Sequence, residues 1–260
     1  MHIVDTHCHA GVLKYEPVES LLHHLGASGV SQAVLIQYGG NRDNTYLVQC
    51  LERYPGQLAA AMIVAADDDG TAVRQWAAQG LAGIRLRPDS RAAGADPLAQ
   101  WRAAAELDLV VSVHGNPPLL LGEAFAEVVA AFPDLRICLE HLGGVGYEAR
   151  APYEEFRRVL EWAERPNISM KLPGFGEFCR VPLPFDPIPE LPRLALEAFG
   201  PERLTWGSDF PPVSSREGYD NALRVPREYF ADLSDDEQAW IFGRAAARLW
   251  GLAGSAARPR

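Results

Sequence analysis

The sequence predicts an α/β protein built as one (β/α)8 barrel, and three observations carry that prediction. Eight short, β-branched apolar runs alternate with eight stretches of helical period. Runs such as Ala33-Val34-Leu35-Ile36 and Leu109-Val110-Val111-Ser112-Val113 are apolar nearly throughout, as parallel strands covered on both faces must be. The length of 260 residues gives about 32 residues per unit, enough for a minimal barrel and for no second domain. The barrel is placed at residues 1–253, and 254–260 read as a disordered tail.

In order, the strands are expected at residues 2–5, 32–37, 58–64, 83–87, 110–114, 136–141, 168–172 and 204–209. The helices are expected at 18–27, 42–53, 71–79, 97–106, 123–132, 153–163, 189–199 and 235–250. Gly80 suits the position just past a helix end, and Pro97 the first helical position after Asp96. Phe132-Pro133-Asp134 stops a helix ahead of the sixth strand, and Ser234-Asp235-Asp236-Glu237 has the form of a capping box. The prolines at 182, 184, 187, 189 and 192 read as a long strand-to-helix loop. An open doubly wound sheet is the rival architecture. It would usually show a glycine-rich phosphate turn after an early strand, whereas here the first strand runs straight into Thr6-His7-Cys8-His9.

A 48% hydrophobic and 22% charged composition excludes wholesale disorder. The formal net charge of −10 argues against nucleic acid or an anionic membrane as partner. No apolar run reaches the roughly 18–20 residues that span a bilayer. Cys8, Cys50, Cys138 and Cys179 are scattered, and no basic-then-apolar leader opens the chain, so a reduced, cytoplasmic protein is expected. Of 24 basic residues only Lys14 and Lys171 are lysines.

In a parallel barrel the strand C-termini share one face, where catalytic groups gather. Reading those ends collects His7, His9, Tyr38, Arg85, Arg87, His114, His141, Lys171 and Asp209, including four of the seven histidines. His7 and His9, two apart on an extended segment, turn to one side while Cys8 turns away. That spacing suits two imidazole nitrogens on one divalent ion, although an isolated pair of this kind is also a common surface feature. Glu140, next to His141, should face the other way and serve a supporting role. Asp209, at the end of the eighth strand, faces the first strand across the closed barrel; as an alternative it is simply a turn former before Phe210-Pro211.

These motifs resemble the amidohydrolase superfamily, narrowly its amidohydrolase-2 branch of lactonases and decarboxylases, whose scaffold is the TIM barrel. The resemblance rests on Asp5-Thr6-His7-Cys8-His9, Gly83-Ile84-Arg85-Leu86, Glu140-His141-Leu142-Gly143-Gly144 and Trp206-Gly207-Ser208-Asp209-Phe210-Pro211, and spans residues 3 to about 252. It implies one divalent ion, zinc before manganese, on His7, His9, His114 and Asp209, with His141 lining the site. Some lactonase relatives dispense with the metal, so metal-free operation stays open. Ser169-Met170-Lys171-Leu172-Pro173-Gly174 resembles the Lys-Leu-Ser-Gly stretch of the lactonases, with Pro173 departing from the usual serine. The fourth strand offers no lysine for a carboxylated bridge, which points to one metal or none.

The resemblance therefore implies a lactone hydrolase in which Asp209 takes a proton from water and His141 steadies the oxyanion. Arg85, Arg87 and Lys171 are expected to converge on a carboxylate-bearing small molecule, with Tyr38 facing the substrate. For each arginine the alternative is an ion pair with a neighbouring loop. A non-oxidative decarboxylase of an aromatic or unsaturated acid is the second functional reading, and a barrel that binds without turnover the third. Relatives of this shape often form homodimers.

Overall fold

Continuous apolar runs become strands because each is covered on both sides, by the barrel interior and by a ring of helices. The computed structural model of the chain describes residues 1–180 and 182–252. Eight parallel strands follow one another around the sheet in chain order: β1 (Val4–Cys8), β2 (Gln32–Ile36), β3 (Leu58–Met62), β4 (Gly83–Leu86), β5 (Val110–Val113), β6 (Ile137–Leu139), β7 (Ile168–Pro173) and β8 (Leu204–Gly207). The sheet closes where Cys8 bridges Phe210, with Asp209 N–H donating to the His7 carbonyl at 2.8 Å and His9 N–H to the Phe210 carbonyl at 2.7 Å. The expected tail at 254–260 lies outside the described residues. Among those described, no helix is long and apolar enough to cross a membrane.

The outer ring contains Val18–Ser28, Thr45–Arg53, Thr71–Ala77, Ala99–Glu106, Glu123–Ala131, Glu154–Leu160, Leu191–Phe199 and Tyr219–Tyr229. The last of these is absent from the sequence expectation, because Pro226 stands inside it. It packs beside β8 through Tyr219 and Trp206, whose Nε1–H donates to the Ala222 carbonyl at 2.9 Å. The segment assigned to the eighth helix instead runs Asp235–Ala239, a π-turn at Trp240–Arg244 and Ala245–Trp250. Ser234 opens it with both bonds of the expected capping box.

That C-terminal segment plugs one end of the barrel. Ala246, Trp250 and Leu252 join Val4, Val34, Ile36, Ala59, Ala61, Val110 and Cys138 in a dry layer. Gly83 is required there, since a Cβ would stand 2.7 Å from the Trp250 ring and 2.6 Å from the Val110 carbonyl. The next layer up is polar: Ser112, Glu140 and Lys171 follow Val110, Cys138 and Ser169 by the two-residue alternation of their strands. On β1, Val4 lies in the dry layer and His7 in the polar one, three residues apart. An irregularity in the pairing with β2 between Asp5 and Cys8 permits it.

Candidate active site

At the strand C-termini a cavity of about 430 Å³ opens, lined by His9, Tyr15, Arg85, His114, His141, Glu177 and Asp209 among others. His7 lies at its floor, fully buried. Gly207 makes room for it: a Cβ at that position would come within 2.8 Å of His7 Cβ. The carboxylate of Asp5, beneath, accepts the N–H groups of His7 at 3.1 Å and Ser208 at 2.9 Å. It also accepts the Tyr219 hydroxyl at 2.9 Å, so one buried side chain ties the two strand ends to the outer helix. Cys8 turns away from the cavity, as the spacing predicts, with Sγ 3.8 Å from Ser208 Oγ.

The His7 and His9 rings meet edge to face with centroids 4.9 Å apart. Asp209, held at φ 61° just past β8, brings Oδ1 to 3.3 Å from His9 Nε2 and 3.7 Å from His7 Nε2. Its Oδ2 accepts from Arg216 Nη2 at 3.1 Å. Burial pushes the Asp209 carboxyl up, but the His9 hydrogen bond and the charges of His141, His9 and Arg216 outweigh it and bring it down to about 2. Burial likewise lowers His141 to about 4, leaving its ring neutral at pH 7.

Nε2 of His7, Nε2 of His9 and a carboxylate oxygen of Asp209 lie within 4.8 Å of one another, a donor set that fits a divalent ion. Two further observations support the fit. His7 Nε2 is buried with no hydrogen-bond partner. His9 Nδ1 donates to the Ile36 carbonyl at 2.7 Å, which fixes the ring with its Nε2 toward the cluster. The expected fourth ligand, His114, is not brought to this group. Its side chain is 56% exposed and its Nδ1 sits 3.3 Å from Glu140. His141 comes closer, its ring 4.3 Å from that of His7.

Glu140 corrects the expectation that it faces outward. The strand alternation carries it inward, while His141 reaches the cavity only because the chain turns left-handed from His141 (φ 47°) through Gly144. Glu140 accepts Arg85 Nε at 3.1 Å and Nη2 at 2.7 Å, and the Ser112 hydroxyl at 2.6 Å. Burial would raise its carboxyl; the charge of Arg85 first, with the His114 hydrogen bond and the Lys171 charge beyond, holds it well below the usual range.

The three cations expected to converge on substrate do not do so. Arg85 reaches the cavity, though bound to Glu140. Arg87 is exposed and paired with Asp89 at 3.0 Å, the alternative the sequence left open. Lys171 is fully buried beneath His7, with Nζ 2.9 Å from Nδ1 and 3.4 Å from Ser112 Oγ. Tyr38 is also set back: Tyr15 stacks on His9 at 5.2 Å and meets Tyr38 edge-on behind it.

Sequence reasoning missed Tyr15, Glu177 and Arg216. Glu177 accepts Arg216 Nη1 at 3.0 Å and lies 3.6 Å from His141 Nδ1. Burial and the nearby Asp209 charge raise its carboxyl to about 7. Glu177 ends the short 3-10 turn Phe175–Glu177 and Arg216 lies on a loop, neither with a period to read; the only sequence signal for Tyr15 is its closeness to the paired histidines.

Comparison with known proteins follows the same lines. The sequence model of the amidohydrolase family, described as "Amidohydrolase", matches residues 4–252. A 4-sulfomuconolactone hydrolase of Hydrogenophaga intermedia is 23% identical over 222 residues, 82% of this chain and 69% of that protein. A crystal structure of a putative 2-pyrone-4,6-dicarboxylic acid hydrolase from Pseudomonas putida superposes with a TM-score of 0.77 at 22% identity, covering 96% of this chain and 98% of the other. A Burkholderia multivorans amidohydrolase with bound zinc gives 0.78 at 22% identity, covering 97% and 100%. With the family's sequence pattern running from the first strand to the helix that plugs the barrel, this chain belongs to the amidohydrolase family.

Proposed function

We propose that this enzyme hydrolyses the lactone ring of a small molecule bearing a carboxylate. The observation that carries the reading is the division of labour at Asp209. Arg216 holds one carboxylate oxygen, and the other faces the two imidazoles at the cavity floor. Kinship with a 4-sulfomuconolactone hydrolase supports the ring-opening direction.

A divalent ion on His7, His9 and Asp209 would supply Lewis-acid polarisation of the carbonyl and help ionise water. The chain's own groups do the rest. Asp209, anionic at neutral pH, accepts the proton of the attacking water at Oδ1. The water oxygen bonds to the lactone carbonyl carbon, and the His141 N–H steadies the oxyanion that forms. The ring carbon–oxygen bond then breaks, and Asp209 returns its proton to the departing oxygen, giving a hydroxy acid. Arg85 and His114, side by side on the cavity wall, meet the substrate carboxylate.

The test is a panel of carboxylated lactones beside a panel of aromatic acids, assayed with the wild type and Asp209→Asn. Lactone opening that falls at least about 100-fold in Asp209→Asn is expected. Carbon dioxide release from the acids, with the lactones untouched, would replace this reading by decarboxylation.

A further inference from the structure

Two imidazoles face Asp209 Oδ1, and their far nitrogens are held in opposite ways. His9 Nδ1 meets a carbonyl oxygen, that of Ile36 at 2.7 Å, and so carries a hydrogen. Its Nε2 faces Asp209 Oδ1 at 3.3 Å. His7 Nδ1 meets the amine of Lys171 at 2.9 Å. A lysine ammonium has three donors and no acceptor. The groups around Nζ suit an ammonium: Ser112 Oγ lies 3.4 Å away, its own hydrogen committed to Glu140 at 2.6 Å. Nδ1 of His7 is therefore the acceptor, and in a neutral ring the hydrogen moves to Nε2.

The consequence reaches the ion site. A histidine that ligates through Nε2 ordinarily donates its other N–H to a carboxylate or carbonyl, which fixes the ring and raises its basicity. His9 has that arrangement and His7 has its reverse. The nearest carboxylate to His7 Nδ1 is Glu140, at 3.9 Å, and it is already committed to Arg85 and Ser112. We propose that Lys171 is a positioning residue that holds His7 as the Nε2–H tautomer and so weakens the hold of this site on a divalent ion. An ion taking His7 Nε2 must displace that hydrogen and forfeit the Lys171–His7 bond. The ion on this site exchanges readily. Without an ion, His7 presents a hydrogen-bond donor to the cavity floor.

The experiment measures zinc affinity of the chelator-stripped protein, by competition with a chromophoric chelator at fixed pH. Lys171→Met, which keeps the length of the side chain and removes its donors, is expected to bind zinc at least about tenfold more tightly than wild type. Arg53→Met, which alters an exposed cation at the end of the outer helix Thr45–Arg53, is expected to leave affinity unchanged. Equal or weaker binding by Lys171→Met overturns the proposal. The stripped wild type gives a second reading that needs no buried substitution. Nitrogen-15 spectra of its histidines, with His7 identified by its loss in His7→Gln, are expected to show the hydrogen on Nε2. A hydrogen on Nδ1 of His7 overturns the proposal independently.

Discussion

Arg216 donates to Asp209 Oδ2 at 3.1 Å, and this bond aims the carboxylate. Because Oδ2 is held, Oδ1 is the atom left facing His9 and His7. The same guanidinium reaches Glu177 at 3.0 Å, so one cation orients two neighbouring carboxylates. Arg216→Ala frees both. A shift of the base by about 1 Å is enough to cost on the order of 100-fold in rate, and a loss of about 10- to 100-fold in kcat is expected with KM little changed. Arg216→Lys keeps a charge without the two-armed fork and is expected to recover only part of it. Steady-state kinetics of the two variants decide the matter; wild-type kcat in Arg216→Ala would show that Asp209 needs no such holder.

Glu177 should leave a mark on stability against pH. Its carboxyl is raised from 4.5 to about 7, by burial first and by Asp209 next. The folded chain thus binds this proton more tightly than the unfolded chain. The contribution to stability is complete below about pH 4.5 and is lost as the pH climbs through about 7. Glu177→Gln, neutral throughout, removes that loss. Its stability relative to wild type is expected to improve by about 1–3 kcal/mol between pH 5 and pH 8. Urea unfolding of both proteins at the two pH values checks it, and parallel pH profiles would count against a proton held at Glu177.

The Arg85–Glu140 pair is buried on both sides, with side-chain exposures of 12% and 1%. Removing one member leaves the other charged and unpaired in the interior, which costs about 3–5 kcal/mol. Glu140→Ala is therefore expected to lower unfolding free energy by that amount, whereas exposed Asp89→Ala, which strips Arg87, should change it by less than about 1 kcal/mol. Chemical denaturation compares them directly. Equal effects would mean that the interior pair is better solvated than its burial implies.

How far the sequence shows this site depends on which backbone carries each residue. His7 and His9 were legible because extended chain fixes direction by parity, and Asp209 because the barrel closes β8 against β1. Lys171 was legible as a strand residue, but parity puts it inside the barrel two residues before β7 ends, below the mouth and not at it. Parity also misdirects where it stops: His141 and Glu140 both point inward because positive φ begins at His141. Arg216 and Glu177 come from loops whose paths depend on packing between distant segments, and no local pattern encodes that. Helix Tyr219–Tyr229 escaped for a related reason, since its helical state survives Pro226 through burial of Ala222, Leu223 and Val225.

Gly207 offers the most local test of how His7 is seated. It lies on β8 directly against β1, and an added Cβ would stand 2.8 Å from His7 Cβ and 2.9 Å from the His7 backbone nitrogen. Neither neighbour is the free end of a flexible chain, so β1 and β8 must separate by several tenths of an ångström. Overpacking of this kind costs about 1–3 kcal/mol. The greater effect falls on function, because moving His7 away from Asp209 widens a gap that is already 3.7 Å. Gly207→Ala is expected to fold, to melt several degrees lower, and to lose at least about tenfold in both kcat/KM and zinc affinity. Gly80, an exposed glycine at a helix end where an added Cβ would meet nothing within 4 Å but φ is 96°, serves as the contrast. Gly80→Ala should lower stability through backbone strain alone and leave zinc binding intact. If both variants lose zinc affinity alike, general loosening of the fold, and not the seat of His7, is the cause.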